Sequence, residues 1–184
     1  RHPHRTPPAC VARGGSDPGP RAPGGHLHQS ITPIRDGAAL PFLPRSGYQI
    51  ATPSVLGRID HEELDNLLKG YGWTPIFVAG ADPMTMHRDM AVAFEQAVLE
   101  IRTLQEQARN SGEAFRPRWP MIVLRSPKGW TGPDEIDGKK IENFWRSHQV
   151  PVADVKTNEG HLRLLEDWMK SYRPWELVGE NGSV

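Results

Sequence analysis

The sequence predicts an α/β fold, a parallel β-sheet with helices on both faces. Three observations carry this. Residues 75–79 (Pro-Ile-Phe-Val-Ala) and 121–125 (Met-Ile-Val-Leu-Arg) are short apolar runs of the kind that form buried strands. Between them, apolar residues recur at helical spacing from Met86 to Leu104. Along the whole chain, strand-like and helix-like segments alternate, the order produced by strands joined through helical crossovers.

The first element is the apolar run 38–43, a strand near a bend because Pro41 interrupts it. Residues 44–52 then read as a loop around Ser46-Gly47-Tyr48. Asp60 opens a helix, with Glu63 three residues on as in a capping box. Leu64, Leu67 and Leu68 give that helix an apolar face, and Gly70 is expected to end it. After strand 75–79, Asp82-Pro83 is an N-cap followed by proline at the first helical position. The helix it starts should run to about Arg109, roughly 40 Å at 1.5 Å per residue. Residues 116–120 read as a stiff connector into strand 121–125. A long irregular segment, 126–156, follows, and a last helix, 159–172, is expected to pack through Leu162, Leu165, Trp168, Met169 and Tyr172.

Of 184 residues, 18 are Pro and 18 are Gly, and the 22 basic side chains equal the acidic ones in number. That balance hides two unlike pieces. Residues 1–29 hold six Pro and five Gly, carry a formal charge of +3, and have only Val11 and Leu27 from the large apolar set. So little apolar surface cannot offset ordering entropy, and the stretch is expected to be disordered. Residues 30–184 carry −3 and offer no basic stripe for nucleic acid. No apolar run approaches the ~20 residues that span a bilayer. The single Cys10 excludes an internal disulfide framework and fits a reducing, cytoplasmic setting.

Two segments could carry chemistry. Ser126-Pro127-Lys128-Gly129-Trp130-Thr131-Gly132-Pro133 follows a buried strand, and Pro127 and Gly129 hold Lys128 in a turn. A lysine fixed there can contact a phosphate or stabilise developing negative charge; on pattern alone a solvated turn lysine is the commoner outcome. His148, within Asn143-Phe144-Trp145-Arg146-Ser147-His148-Gln149-Val150-Pro151, suits proton transfer, or else a structural bond to a backbone carbonyl. His61 and His87 fall on exposed helix sides, and Met86 and Met90 in the core. His2, His4, His26 and His28 make a histidine tract by count, without surroundings that would hold a metal's geometry.

The run Gly47-Tyr48-Gln49-Ile50-Ala51-Thr52-Pro53-Ser54-Val55-Leu56 resembles the thiamine-diphosphate-dependent phosphoketolases. So do residues 116–133, residues 137–140 with 145–151, and residues 161–169. These motifs stand in family order across about residues 30–184. The resemblance implies part of the N-terminal, diphosphate-binding domain, with 1–29 as an unmatched segment. It implies a lyase that cleaves xylulose 5-phosphate, and often fructose 6-phosphate, with inorganic phosphate to acetyl phosphate and an aldose phosphate. The cofactors implied are thiamine diphosphate and Mg²⁺ or Ca²⁺, and the intact enzyme would be a homodimer or larger. By position, Lys128 matches a residue that stabilises anionic groups, and His148 one that moves protons. Tyr48 matches the residue whose backbone carbonyl ligates the cation, with Ser46 and Gly47 beside it in the cofactor-binding turn.

The departures from the pattern are specific. Ser46 stands where the family has an Asn ligand, and no acidic Gly-Asp-Gly segment precedes it. With those ligands missing, the chain is expected to be inactive alone. Two other readings remain, an inert fragment without cofactor affinity and a transketolase-like transferase; the block Arg146-Ser147-His148-Gln149-Val150-Pro151 argues against the second.

Overall fold

Short apolar strands separated by helices line up in parallel, because a helix carries the chain back across the sheet. The computed structural model describes residues 9–12, 31–49, 52–113, 115–149, 152–179 and 181–183. In chain order, β1 (Ala9–Ala12) is followed by β2 (Ala39–Arg45), then a small antiparallel ladder of β3 (Tyr48–Gln49) and β4 (Thr52–Pro53). Next come α1 (Val55–Arg58), α2 (His61–Gly70), β5 (Trp73–Ala79), α3 (Pro83–Ser111) and β6 (Trp119–Arg125). The parallel sheet has the order β1-β2-β6-β5. Within the stretch expected to be disordered, β1 is thus a strand paired with β2; its run Ala-Cys-Val-Ala is the one piece there with a strand-compatible composition. The remaining residues of that stretch, the four histidines included, lie outside the described residues.

Register shows how the layers are built. Phe42, Ile122 and Ile76 form one row across β2, β6 and β5, and Leu43, Val123 and Phe77 the next. Adjacent rows face opposite sides of a sheet. The Phe42 ring lies 6.0 Å from Phe94 of α3, and the Phe77 ring 4.2 Å from His61 of α2. The two helices therefore cover opposite faces, as expected for right-handed crossovers that run in opposite directions across the sheet. His61 is exposed as expected, yet its ring has an aromatic neighbour. Trp119, Ile122 and Val123 of β6 are at most 1 % exposed. Ala93 and Ala97 of α3 are buried as well, small enough to let the helix approach the sheet closely.

Several boundaries move. β2 continues through Pro41 and Pro44 to Arg45: a parallel ladder uses alternate N–H groups for each neighbour, so each proline forfeits one donor while its carbonyl remains an acceptor. β6 begins at Trp119 and takes in the last two residues of the expected connector. Gly70 stays helical, Tyr71 caps α2, and Gly72 takes the positive φ of 90°. Asp60 accepts the Glu63 N–H at 2.7 Å, as the capping pattern predicts. α3, at 29 residues about 43 Å long, ends on Gly112 in the left-handed region at φ 68°.

Asp82 caps α3 by accepting the Thr85 N–H at 2.7 Å. Hydrogen bonds from Thr85, side chain first and backbone second, hold its carboxyl below the ordinary aspartate range. A depressed folded value means the cap's stabilisation is complete above the unfolded pKa and lost as pH falls through the folded one. In thermal melts the wild type should therefore be more stable than Asp82→Asn at neutral pH, and the two curves should converge in acid, where the wild type loses stability faster. Parallel curves would show that the charge on the cap contributes nothing.

The chain divides into two compact units, Arg1–Pro127 and Lys128–Val184. The second contains a turn-rich segment with β7 (Glu135–Ile136) and β8 (Lys139–Lys140), a 3-10 turn at Trp145–His148, α4 (Glu159–Ser171) and a 3-10 turn at Pro174–Glu176. Its small core is Ile136, Ile141 and Val152, with Val155, Leu164 and Leu165 packed on it. The apolar face of α4 differs from the expected one. Leu162 and Met169 are exposed, and His161 is buried instead, its Nε2 2.9 Å from Asp137 Oδ2. Two stripes of α4 have helical spacing, and the bond to Asp137 helps select the one that turns inward.

Candidate functional site

The first candidate loop is set by a glycine at the end of β2. Gly47 has φ 81°, a conformation that only glycine adopts at little cost. Its carbonyl accepts the Ser54 N–H at 3.1 Å, and Ser54 Oγ caps α1 through the Gly57 N–H at 3.0 Å. A side chain on Gly57 would place its Cβ 2.9 Å from the Gly47 oxygen, so α1 and the turn are in direct contact. This closes Ser46-Gly47-Tyr48 into a defined turn, with the Ser46 hydroxyl 3.5 Å from the Tyr48 carbonyl oxygen.

That separation tests the turn against the expected cation. Adjacent oxygens around an octahedral Mg²⁺ stand about 2.9 Å apart, and around Ca²⁺ about 3.4 Å, from ordinary bond lengths. The Ser46 hydroxyl donates to the Tyr48 carbonyl at 3.5 Å, a spacing compatible with two neighbouring positions around such a cation. The pair is a partial set, because among the described residues no three His, Cys, Asp or Glu side chains converge.

Lys128 and His148 both belong to the second unit. The Lys128 carbonyl accepts the Asn143 N–H at 2.8 Å, which ties its turn to the segment that leads into the 3-10 turn Trp145–His148. Next to Lys128, Gly129 has φ 72°, and a Cβ there would stand 2.5 Å from Cβ of Ser147, the neighbour of His148. The two candidates are thus carried on backbone segments in van der Waals contact. Lys128 is half-buried and His148 exposed at the end of its turn.

Residues outside the two candidates hold this arrangement. Thr131 and Asn143 both take positive φ, 69° and 54°, a conformation that non-glycine residues adopt rarely. The Thr131 hydroxyl lies 2.8 Å from the Tyr172 hydroxyl, which itself accepts the Trp168 Nε1–H at 2.9 Å. A Cβ on Gly132 would meet the Trp168 ring at 3.4 Å. The Arg146 guanidinium lies 4.9 Å from the Phe144 ring centroid and 5.0 Å from that of Trp145. The aromatics of the irregular segment and of α4 therefore brace the lysine turn and the histidine turn. Their density around Gly129 and Gly132 was the available signal.

The parallel sheet with helices on both faces defines an α/β domain, and the second unit carries the lysine and histidine turns. The chain belongs to the XFP N-terminal domain family, whose model matches residues 1–184. The matched span takes in residues 1–29 as well as the motif-bearing part. A probable phosphoketolase 1 of Nostoc sp. (strain PCC 7120) is 58% identical over 176 residues, covering 96% of this chain and 22% of that protein. Probable phosphoketolases of Methylococcus capsulatus and Synechocystis sp. are 56% and 55% identical, covering 95% and 93% of this chain and 22% and 21% of their own lengths. The chain thus spans about a fifth of the length of the curated relatives it matches. Among the described residues, no helix is long and apolar enough to cross a membrane.

Proposed function

We propose that this chain forms the diphosphate-binding part of a phosphoketolase, a cytoplasmic lyase of carbohydrate metabolism that works as a homodimer or larger assembly. The substrates are xylulose 5-phosphate, with fructose 6-phosphate as a second ketose, and inorganic phosphate; the products are acetyl phosphate and an aldose phosphate. The observation that carries this reading is 58% identity to a probable phosphoketolase over 96% of the chain. The ordered loops around Lys128 and His148 support it.

Thiamine diphosphate supplies the electron sink for carbon–carbon cleavage when bound. The chain's own residues do the positioning. The Tyr48 carbonyl and Ser46 Oγ offer two oxygens to a divalent cation that neutralises the diphosphate, and Gly47 sets their turn. Lys128 Nζ offers a fixed positive charge to anionic oxygens, worth most where water is excluded. The His148 imidazole accepts and returns a proton during dehydration or attack by phosphate.

The test has two arms. Calorimetric titration of the chain with thiamine diphosphate should give saturable heat with Mg²⁺ or Ca²⁺; no heat at millimolar cofactor would leave an inert fragment. The intact protein that contains this chain should form acetyl phosphate from xylulose 5-phosphate and phosphate. Sugar transfer without acetyl phosphate would identify a transketolase-like enzyme instead.

A further inference from the structure

The lysine turn has a threonine where its backbone favours glycine. The Gly132 N–H donates to the Gly129 carbonyl at 2.9 Å, which makes residues 129–132 a β-turn centred on Trp130 and Thr131. Thr131 has φ 69°, the left-handed conformation found at the third residue of a type II turn. Glycine or asparagine is the usual occupant, and a β-branched residue fits there poorly. Backbone strain of this kind persists only where surrounding contacts hold it.

Those contacts come from Tyr172, which ends α4 with its backbone N–H on the Lys170 and Met169 carbonyls. Hydrogen-bond capacity sets the direction of each bond. The Tyr172 hydroxyl donates its one proton to the Thr131 carbonyl at 3.2 Å, so the Thr131 hydroxyl donates to the Tyr172 oxygen at 2.8 Å. That oxygen also takes the Trp168 Nε1–H at 2.9 Å. Its donor and both its acceptor positions are thus filled, and two of the three bonds end on one strained residue. Tyr172 is 49 % exposed, so the position supplies a hydroxyl more than it supplies buried apolar surface. The near end of the turn is held separately, by the Asn143 N–H on the Lys128 carbonyl and by the packing of Gly129 on Ser147.

We propose that Tyr172 is a positioning residue for Lys128: its hydroxyl latches Thr131 in the left-handed conformation and so fixes the turn that carries the lysine. The latch rests on geometry; the role it serves rests on the phosphoketolase reading above.

The experiment compares the whole chain as wild type, Tyr172→Phe, Thr131→Gly and the double variant. Each is treated with acetic anhydride, and mass spectrometry follows acetylation of half-buried Lys128 against exposed Lys139 and Lys140. Tyr172→Phe should raise the relative rate at Lys128 about fivefold, the effect of one lost hydrogen bond on local opening. Thr131→Gly removes the strain and with it the need for a latch, so the single glycine variant and the double variant should react like the wild type. An unchanged rate in Tyr172→Phe overturns the proposal. A raised rate that glycine fails to restore also overturns it, because the hydroxyl would then serve the fold of the second unit as a whole.

Kinetics of the intact protein that contains this chain give the second readout. In Tyr172→Phe, kcat for acetyl phosphate formation should fall with KM for xylulose 5-phosphate nearly unchanged, and the double variant should recover it. A rise in KM alone overturns the positioning role. If the wild type itself forms no acetyl phosphate, the phosphoketolase reading fails, while the acetylation pattern still decides the latch.

Discussion

Gly129→Ala should destabilise the second unit by about 2–4 kcal/mol, the sum of a left-handed φ for a residue with a Cβ and an unrelieved contact. The contact is with Ser147 Cβ, where an added methyl would stand at 2.5 Å, and neither group lies at the end of a flexible side chain. The backbone must therefore part between the lysine turn and the histidine turn. Urea unfolding, followed by near-UV circular dichroism of the aromatics around the turn, measures the cost. Ser147→Gly in the same chain separates the two causes: the double variant should recover the steric part and keep the φ part. A Gly129→Ala cost below about 1 kcal/mol, with no recovery in the double variant, would mean that the two turns are not in firm contact.

Ile122→Ala should cost about 3–4 kcal/mol, within the range for emptying a fully buried branched aliphatic site. Ile122 is 0 % exposed and sits in the middle strand, between Phe42 and Ile76 of the same row. Strand neighbours on both sides hold the backbone in place, so the cavity cannot collapse easily. Ile122→Val, which removes one methylene, should cost about 1 kcal/mol. Urea midpoints give both values. If alanine and valine cost the same small amount, the sheet relaxes around β6 and the centre of the fold is softer than its burial implies.

The two sites differ in how far the sequence announces them. Ile122 sits in a run of four apolar residues, Met121 to Leu124, and such a run has no solvent side. Gly129 lies in a loop whose glycine has no periodicity to interpret, and the neighbour that makes it indispensable, Ser147, is 18 residues away. Lys128 and His148 could be singled out as candidates from local composition and family likeness. That their turns touch is a property of the packed second unit.

Local chemistry in the sequence therefore determined the α/β alternation, the caps at Asp60 and Asp82, and the helix and strand cores. Each depends on side chains within one or two turns of each other, so spacing alone reveals it. Tertiary structure decided three other things: that β2 runs through two prolines to Arg45, that α4 turns His161 inward and leaves Leu162 out, and that Arg45 and Arg125 share a row. Sheet register brings residues 80 positions apart to one Cα pair, and no periodic pattern records such a pairing. The physical reason is common to all three. Competing local solutions lie close in energy, and long-range partners (a neighbouring strand, a carboxylate on a turn) select between them.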